Sequence, residues 1–147
     1  MSIFAALPLL ALPVAIYNLI VAFLVPSGFK PHDYKAGEAL ARMARPLFHV
    51  PTTSGGEWPV GAGDLLVFGA LVLLFVELLK ATTSRSIAII NHSLSMILFI
   101  VCLIEFLLFP AFATPSFFLL TTMVLLDVLA GFIVTIAATK REIDFNR

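Results

Sequence analysis

Four stretches of this chain stay apolar for about as long as a helix needs to cross a membrane. That feature constrains the fold more than any other. Crossing about 30 Å of hydrocarbon takes roughly 20 mostly apolar residues in helical form. Residues 3–25 carry no charge at all, and residues 62–79, 86–109 and 116–139 qualify with few charges. Lipid cannot satisfy exposed backbone N–H and C=O groups, so each run must close its own hydrogen bonds as a helix. A β-barrel would need alternation with a period of two, which these continuous runs lack. The composition points the same way. Of 147 residues, 61% are hydrophobic and 12% charged, with 14 phenylalanines, more apolar surface than a soluble domain of this size can hide. The expected fold is therefore an all-α integral membrane protein, a four-transmembrane-helix bundle in one domain surrounded by the lipid bilayer.

The first run is too long for a cleaved signal peptide and no Lys or Arg precedes it, so it is read as a retained helix. Pro8 and Pro13 each remove a backbone donor, which predicts a bend within that helix. Residues 26–61 form the one long loop. Within it Ala36, Leu40, Met43, Ala44 and Leu47 recur at the spacing of one helical face, with Lys35, Glu38, Arg42 and Arg45 on the other. A short amphipathic helix at about 33–45 is expected to lie in the headgroup plane, capped by Asp33 and stopped by Pro46. From Pro51 to Gly63 the chain is rich in Gly, Pro, Thr and Ser, which favours turns, and Trp58 there fits an interfacial anchor.

Orientation follows the basic residues near the span ends. Lys80, Arg85, Lys140, Arg141 and Arg147 fall on the side of both termini, against Lys30, Lys35, Arg42 and Arg45 on the other. The first group clusters closer to the membrane, so both termini are expected in the cytoplasm. Nine basic and nine acidic residues cancel, which leaves no global field to attract nucleic acid.

The polar residues inside the spans carry what functional information there is. A charge at the bilayer centre costs about 2.5–3.5 kcal/mol on insertion scales, so such groups face a neighbour or a cavity. Each span has a seam of small and polar residues suited to close packing. These seams are Ala11, Ala15, Asn18 and Ala22; Ala70 with Glu77; Asn91, Ser95, Cys102 and Glu105; and Asp127, Ala130, Gly131 and Ala138. At 1.5 Å per residue, Asp127 lies about 18 Å from Thr139, near mid-membrane, and its candidate partners at similar depth are Tyr17, Asn18 and Ser95. Glu77 stands three residues before Lys80 and is expected to reach water or pair with it. Glu105 falls near the opposite surface. His92 is turned about 100° from Asn91 and is expected towards headgroup depth.

Asp127, Glu105, Asn18, Tyr17, Ser95, Asn91, His92 and Glu77 thus form the candidate intramembrane polar network. Two functions suit it. It can hold the bundle in register, or its titratable members Glu105, Asp127, His92 and Glu77 can pass protons in series. Other chemistries fare worse. Only His92 lies within a span, so a bis-histidine haem site is incomplete. No His, Cys and carboxylate set has zinc spacing, and Gly61 to Asp64 is too short for a phosphate loop. One cysteine, Cys102, makes no internal disulfide. The chain also lacks the first-span glutamate of the small multidrug exporters and the several cysteines of the quinone-linked disulfide-forming proteins. An enzyme acting on lipids around His49 to Trp58 would rest on two or three polar residues. The reading is a non-enzymatic accessory or scaffold subunit without a cofactor, forming a homo-oligomer or joining a larger membrane complex. A small proton-coupled transporter or proton conductor using Asp127 is the alternative.

Overall fold

A computed structural model describes residues 7–30, 32–33, 35, 37–81 and 85–145. Helix α1 spans Ala11–Leu24 and a short 3-10 turn follows at Pro26–Phe29. Helix α2 is Glu38–Ala44, strands β1 (Pro46–Pro51) and β2 (Glu57–Gly61) form a hairpin, and α3 is Ala62–Ala81. Helix α4 is Arg85–Leu108, a second 3-10 turn covers Pro110–Phe112, and α5 runs Pro115–Phe145. The chain is mostly helical (74%), and α3, α4 and α5 contain helices long and apolar enough to cross a membrane. Helix α1 is apolar and shorter.

The prolines explain where α1 begins. The first turn of a helix has N–H groups without helical partners, so a proline there loses nothing. Pro8 precedes the helix and Pro13 sits in its first turn. Of the expected span at 3–25, residues 1–6 lie outside the described residues; among those described the helix begins at Ala11, and the prolines fall at its start and not in its middle.

That shift also moves the inward face. The buried side chains are Leu10, Val14, Tyr17 and Val21, the same 4-3-4 spacing as the expected seam but one residue earlier. Ala15 and Ala22 are exposed. The other seams hold in part, with Glu105 and Ala130 only half-buried. On α3, Leu66, Ala70, Leu74 and Glu77 are buried; on α4, Asn91, Ser95 and Cys102; on α5, Phe117, Leu120, Val124, Asp127 and Gly131. Ala138 lies where side chains are not described.

One end of the bundle is closed by protein. Tyr17 packs its ring on Phe112 and Phe117 at centroid distances of 5.5 and 4.7 Å. Its hydroxyl donates to the Ala111 carbonyl at 3.0 Å and meets Thr114 Oγ1 at 2.6 Å. Thr114 Oγ1 in turn accepts the Phe117 N–H at 3.2 Å, capping α5. Tyr17 therefore ties α1 to the turn between α4 and α5.

The long loop departs from expectation in two ways. Helix α2 starts at Glu38, not at 33, because Gly37 has a φ of 81° and breaks the helical path. Its buried side chains are Ala39 and Met43, whereas Leu40 and Leu47 are exposed. Ala36 lies outside the described residues. The second departure is the antiparallel hairpin, where turns were expected and where an all-α fold has no place. Phe48 pairs with Val60, His49 with Pro59, Val50 with Trp58 and Pro51 with Glu57. A lone hairpin is marginal in water, and this one is held at its base, where Val60 and Gly61 are buried.

Candidate functional site

The polar residues of the spans divide into two groups. The larger lies towards the α3–α4 turn and is centred on Glu77, whose side chain is fully buried. One carboxylate oxygen, Oε2, accepts the backbone N–H of Leu9 at 2.6 Å. The other, Oε1, takes the Lys80 ammonium at 3.0 Å and the Asn91 side-chain amide. Lys80 also donates to the Leu7 carbonyl at 2.9 Å and to Asn91 Oδ1 at 3.5 Å. The Leu9 N–H belongs to the turn that opens α1, where free donors and the helix dipole favour an anion. Glu77 thus caps α1 from another helix, and the late start of α1 supplies the donor.

Asn91 carries the chain onward. Its carbonyl accepts the Ser95 hydroxyl at 3.1 Å, and that hydroxyl also reaches Asp127 Oδ2 at 2.5 Å. Asp127 is fully buried. Its Oδ1, and both ring nitrogens of His92, are buried without a hydrogen-bond partner among the described residues. The His92 ring lies against Gly131, where an added Cβ would collide with the ring carbons and Nδ1. The His92 ring therefore packs on α5, where Gly131 leaves room for it. Connected polar contacts run from Lys80, 24% exposed, inward to Asp127.

The second group is a pair near the opposite end. Asn18 Nδ2 donates to the Val14 carbonyl at 3.2 Å and to Glu105 Oε2 at 3.3 Å. Glu105 and Asn18 are half-buried. Ser95 and Glu105 are ten residues apart on α4, about 15 Å along the axis. Between them the interior is lined by Cys102, Leu120, Val124 and the partly buried Leu98 and Phe99. Of the expected partners of Asp127, Ser95 bonds to it, while Asn18 donates to Glu105 and Tyr17 meets Thr114.

Lys80 pairs with Glu77, one of the two outcomes their i,i+3 spacing allowed, whereas the backbone of Leu7 and Leu9 are members that sequence reading missed. The Leu9 donor was signalled only by Pro13, which implies a helix start nearby. Among the described residues no three His, Cys, Asp or Glu side chains gather as a metal ion requires. Comparison with known proteins found no matching family model, no matching curated protein and no matching solved structure.

Proposed function

We propose that this chain is a non-enzymatic, multi-pass membrane protein, an accessory or scaffold subunit that associates with copies of itself or with a larger membrane complex. Helix α1 is the fourth span, and both termini lie in the cytoplasm. The observation that carries this reading is the use made of Glu77: its carboxylate joins the start of α1, α3 and α4 in one buried cluster. Polar groups spent on holding helices together are what a scaffold needs. The outward surface is apolar, with Leu12, Ile16, Leu19 and Phe23 forming one exposed stripe on α1. Such a stripe suits lipid or a neighbouring membrane helix. Cysteines introduced at Thr53 and Asn146 should react with an impermeant reagent from opposite sides of the membrane. Labelling of both from one side would remove a span.

One observation favours a second reading, proton transfer through Asp127: its Oδ1 and the His92 nitrogens lack partners among the described residues. The apolar stretch between Ser95 and Glu105 speaks against it. One substitution separates the two. For a scaffold, Asp127→Asn keeps size and the acceptor for Ser95, so the melting temperature in detergent stays near that of the parent and neither protein moves protons in liposomes. Asp127→Leu should cost on the order of 1 kcal/mol, the range for interhelical hydrogen bonds in membranes. A proton flux in the parent that Asp127→Asn abolishes would overturn the scaffold reading, since an amide does not titrate in this range.

A further inference from the structure

The hairpin has two unlike faces. Residues two apart on a strand share a face, and the register sets Val50 opposite Trp58 and Phe48 opposite Val60. Phe48, Val50, Trp58 and Val60 therefore form one face, all apolar. His49, Pro51, Glu57 and Pro59 form the other, which carries the polar side chains. The apolar face starts inside the protein, where Val60 is 4% exposed, and then runs out beyond it: Phe48 is 48%, Val50 37% and Trp58 55% exposed. It is a ledge whose inner edge is core and whose outer part has no cover among the described residues.

The position of the ledge says what lies beneath it. Strand β2 passes directly into α3, and α3 is long and apolar enough to span from Ala62 onward. The joint is tight. The Gly61 N–H donates to Asp64 Oδ2 at 2.8 Å, and a Cβ at Gly61 would lie 2.6 Å from the Met43 carbonyl oxygen. Backbone packed on backbone leaves the hairpin no hinge there. The ledge is joined to the end of α3 that opens the apolar run, and the first turns of that helix also expose Leu65 and Phe68. Tryptophan and apolar neighbours at the end of a span suit the zone where headgroups meet acyl chains. We infer that the Phe48–Val50–Trp58 face rests on the bilayer at the headgroup–acyl boundary, with lipid as its occupant and the His49–Glu57 face turned to water. The inference depends on α3 spanning the membrane. It does not depend on what the buried polar chain does.

Trp58 is the single tryptophan of the chain, so intrinsic fluorescence reports on this face alone. The full-length protein in phosphatidylcholine nanodiscs should show blue-shifted emission, strong quenching by lipids brominated along the acyl chain, and little quenching by iodide. Val50→Asp, which puts a charge on the same face, should reverse the two sensitivities. His49→Asp puts the same charge on the opposite face and should change neither. Strong iodide quenching of the parent would place the face in water and overturn the inference. Protection from both quenchers would mean that protein covers it, a second copy or the rest of the chain, and would overturn it equally. Failure of the parent to incorporate into nanodiscs would overturn the membrane reading of α3, and this inference with it.

Discussion

Glu77→Ala is expected to lower the stability of the folded protein by about 3 kcal/mol, the range for removing one partner of a buried ion pair. Three donors converge on that carboxylate: the Leu9 N–H, the Asn91 amide and the Lys80 ammonium. Truncation leaves the Leu9 N–H and the Asn91 amide without that acceptor and takes the carboxylate from Lys80, which keeps the Leu7 carbonyl and Asn91 Oδ1. Lys80 is partly exposed and recovers some hydration by swinging outward, which keeps the cost at the lower end of that range. Glu77→Gln is expected to cost less, about 2 kcal/mol. Its single amide oxygen still accepts, but its NH2 group now faces a donor. Unfolding in mixed micelles by added dodecyl sulfate measures both. A Glu77→Ala midpoint equal to that of the parent would mean that α1 does not depend on its cap.

The second large effect is expected at Gly131. Alanine is a better helix former than glycine by about 1 kcal/mol, so an exposed glycine in the middle of α5 should tolerate or favour the change. Here the added Cβ meets the root of the His92 ring, so the histidine must leave its rotamer or α4 must shift. Overpacking of this kind costs about 1–3 kcal/mol. A net loss of about 2 kcal/mol is expected for Gly131→Ala, so the clash outweighs the propensity. The decisive comparison is the double variant. With His92→Ala the obstruction is gone, and Gly131→Ala should become neutral or stabilising, a coupling within the range seen for residues in contact. Equal effects of Gly131→Ala with and without the histidine would show that the two helices do not meet there.

The parts of this structure legible in the sequence are those set by the lipid solvent. Helices α3, α4 and α5 follow from apolar run length alone, and their inward faces from polar and small residues repeated at helical spacing. Ser95 was one of three candidate partners that depth offered for Asp127, and it is the one that bonds to it. What was not legible depended on contacts between distant segments. The inward face of α1 was misplaced by one residue, since the apolar pattern there is nearly uniform and the choice falls to Tyr17, whose hydroxyl finds Thr114 across the fold. For Glu77 the sequence offered water or Lys80; the lysine pair forms, but the contact with a backbone N–H 68 residues away had no local signal. The hairpin was hidden by Pro46, Pro51 and Pro59, which read as breakers. Its local signal was the alternation of Phe48 with Val50 and of Trp58 with Val60 around a Gly-Gly turn, but its base is fixed by Met43, outside the hairpin.

The direction in which the polar contacts run along the chain bears on how the protein is made. Segments leave the ribosome in sequence order, so an intramembrane carboxylate is safest when its partner is already in place. Glu77 arrives after Leu9 and only three residues ahead of Lys80, so two of its three donors come from earlier or adjoining sequence. Asp127 arrives after Ser95. Asn91, the one later partner of Glu77, is a neutral amide that costs far less to insert than a charge. On the proposed membrane reading, both carboxylates therefore have a hydrogen-bond donor in earlier or adjoining sequence as their own helices enter the bilayer. Insertion in chain order does not have to hold either one unpaired in lipid until the last helix arrives.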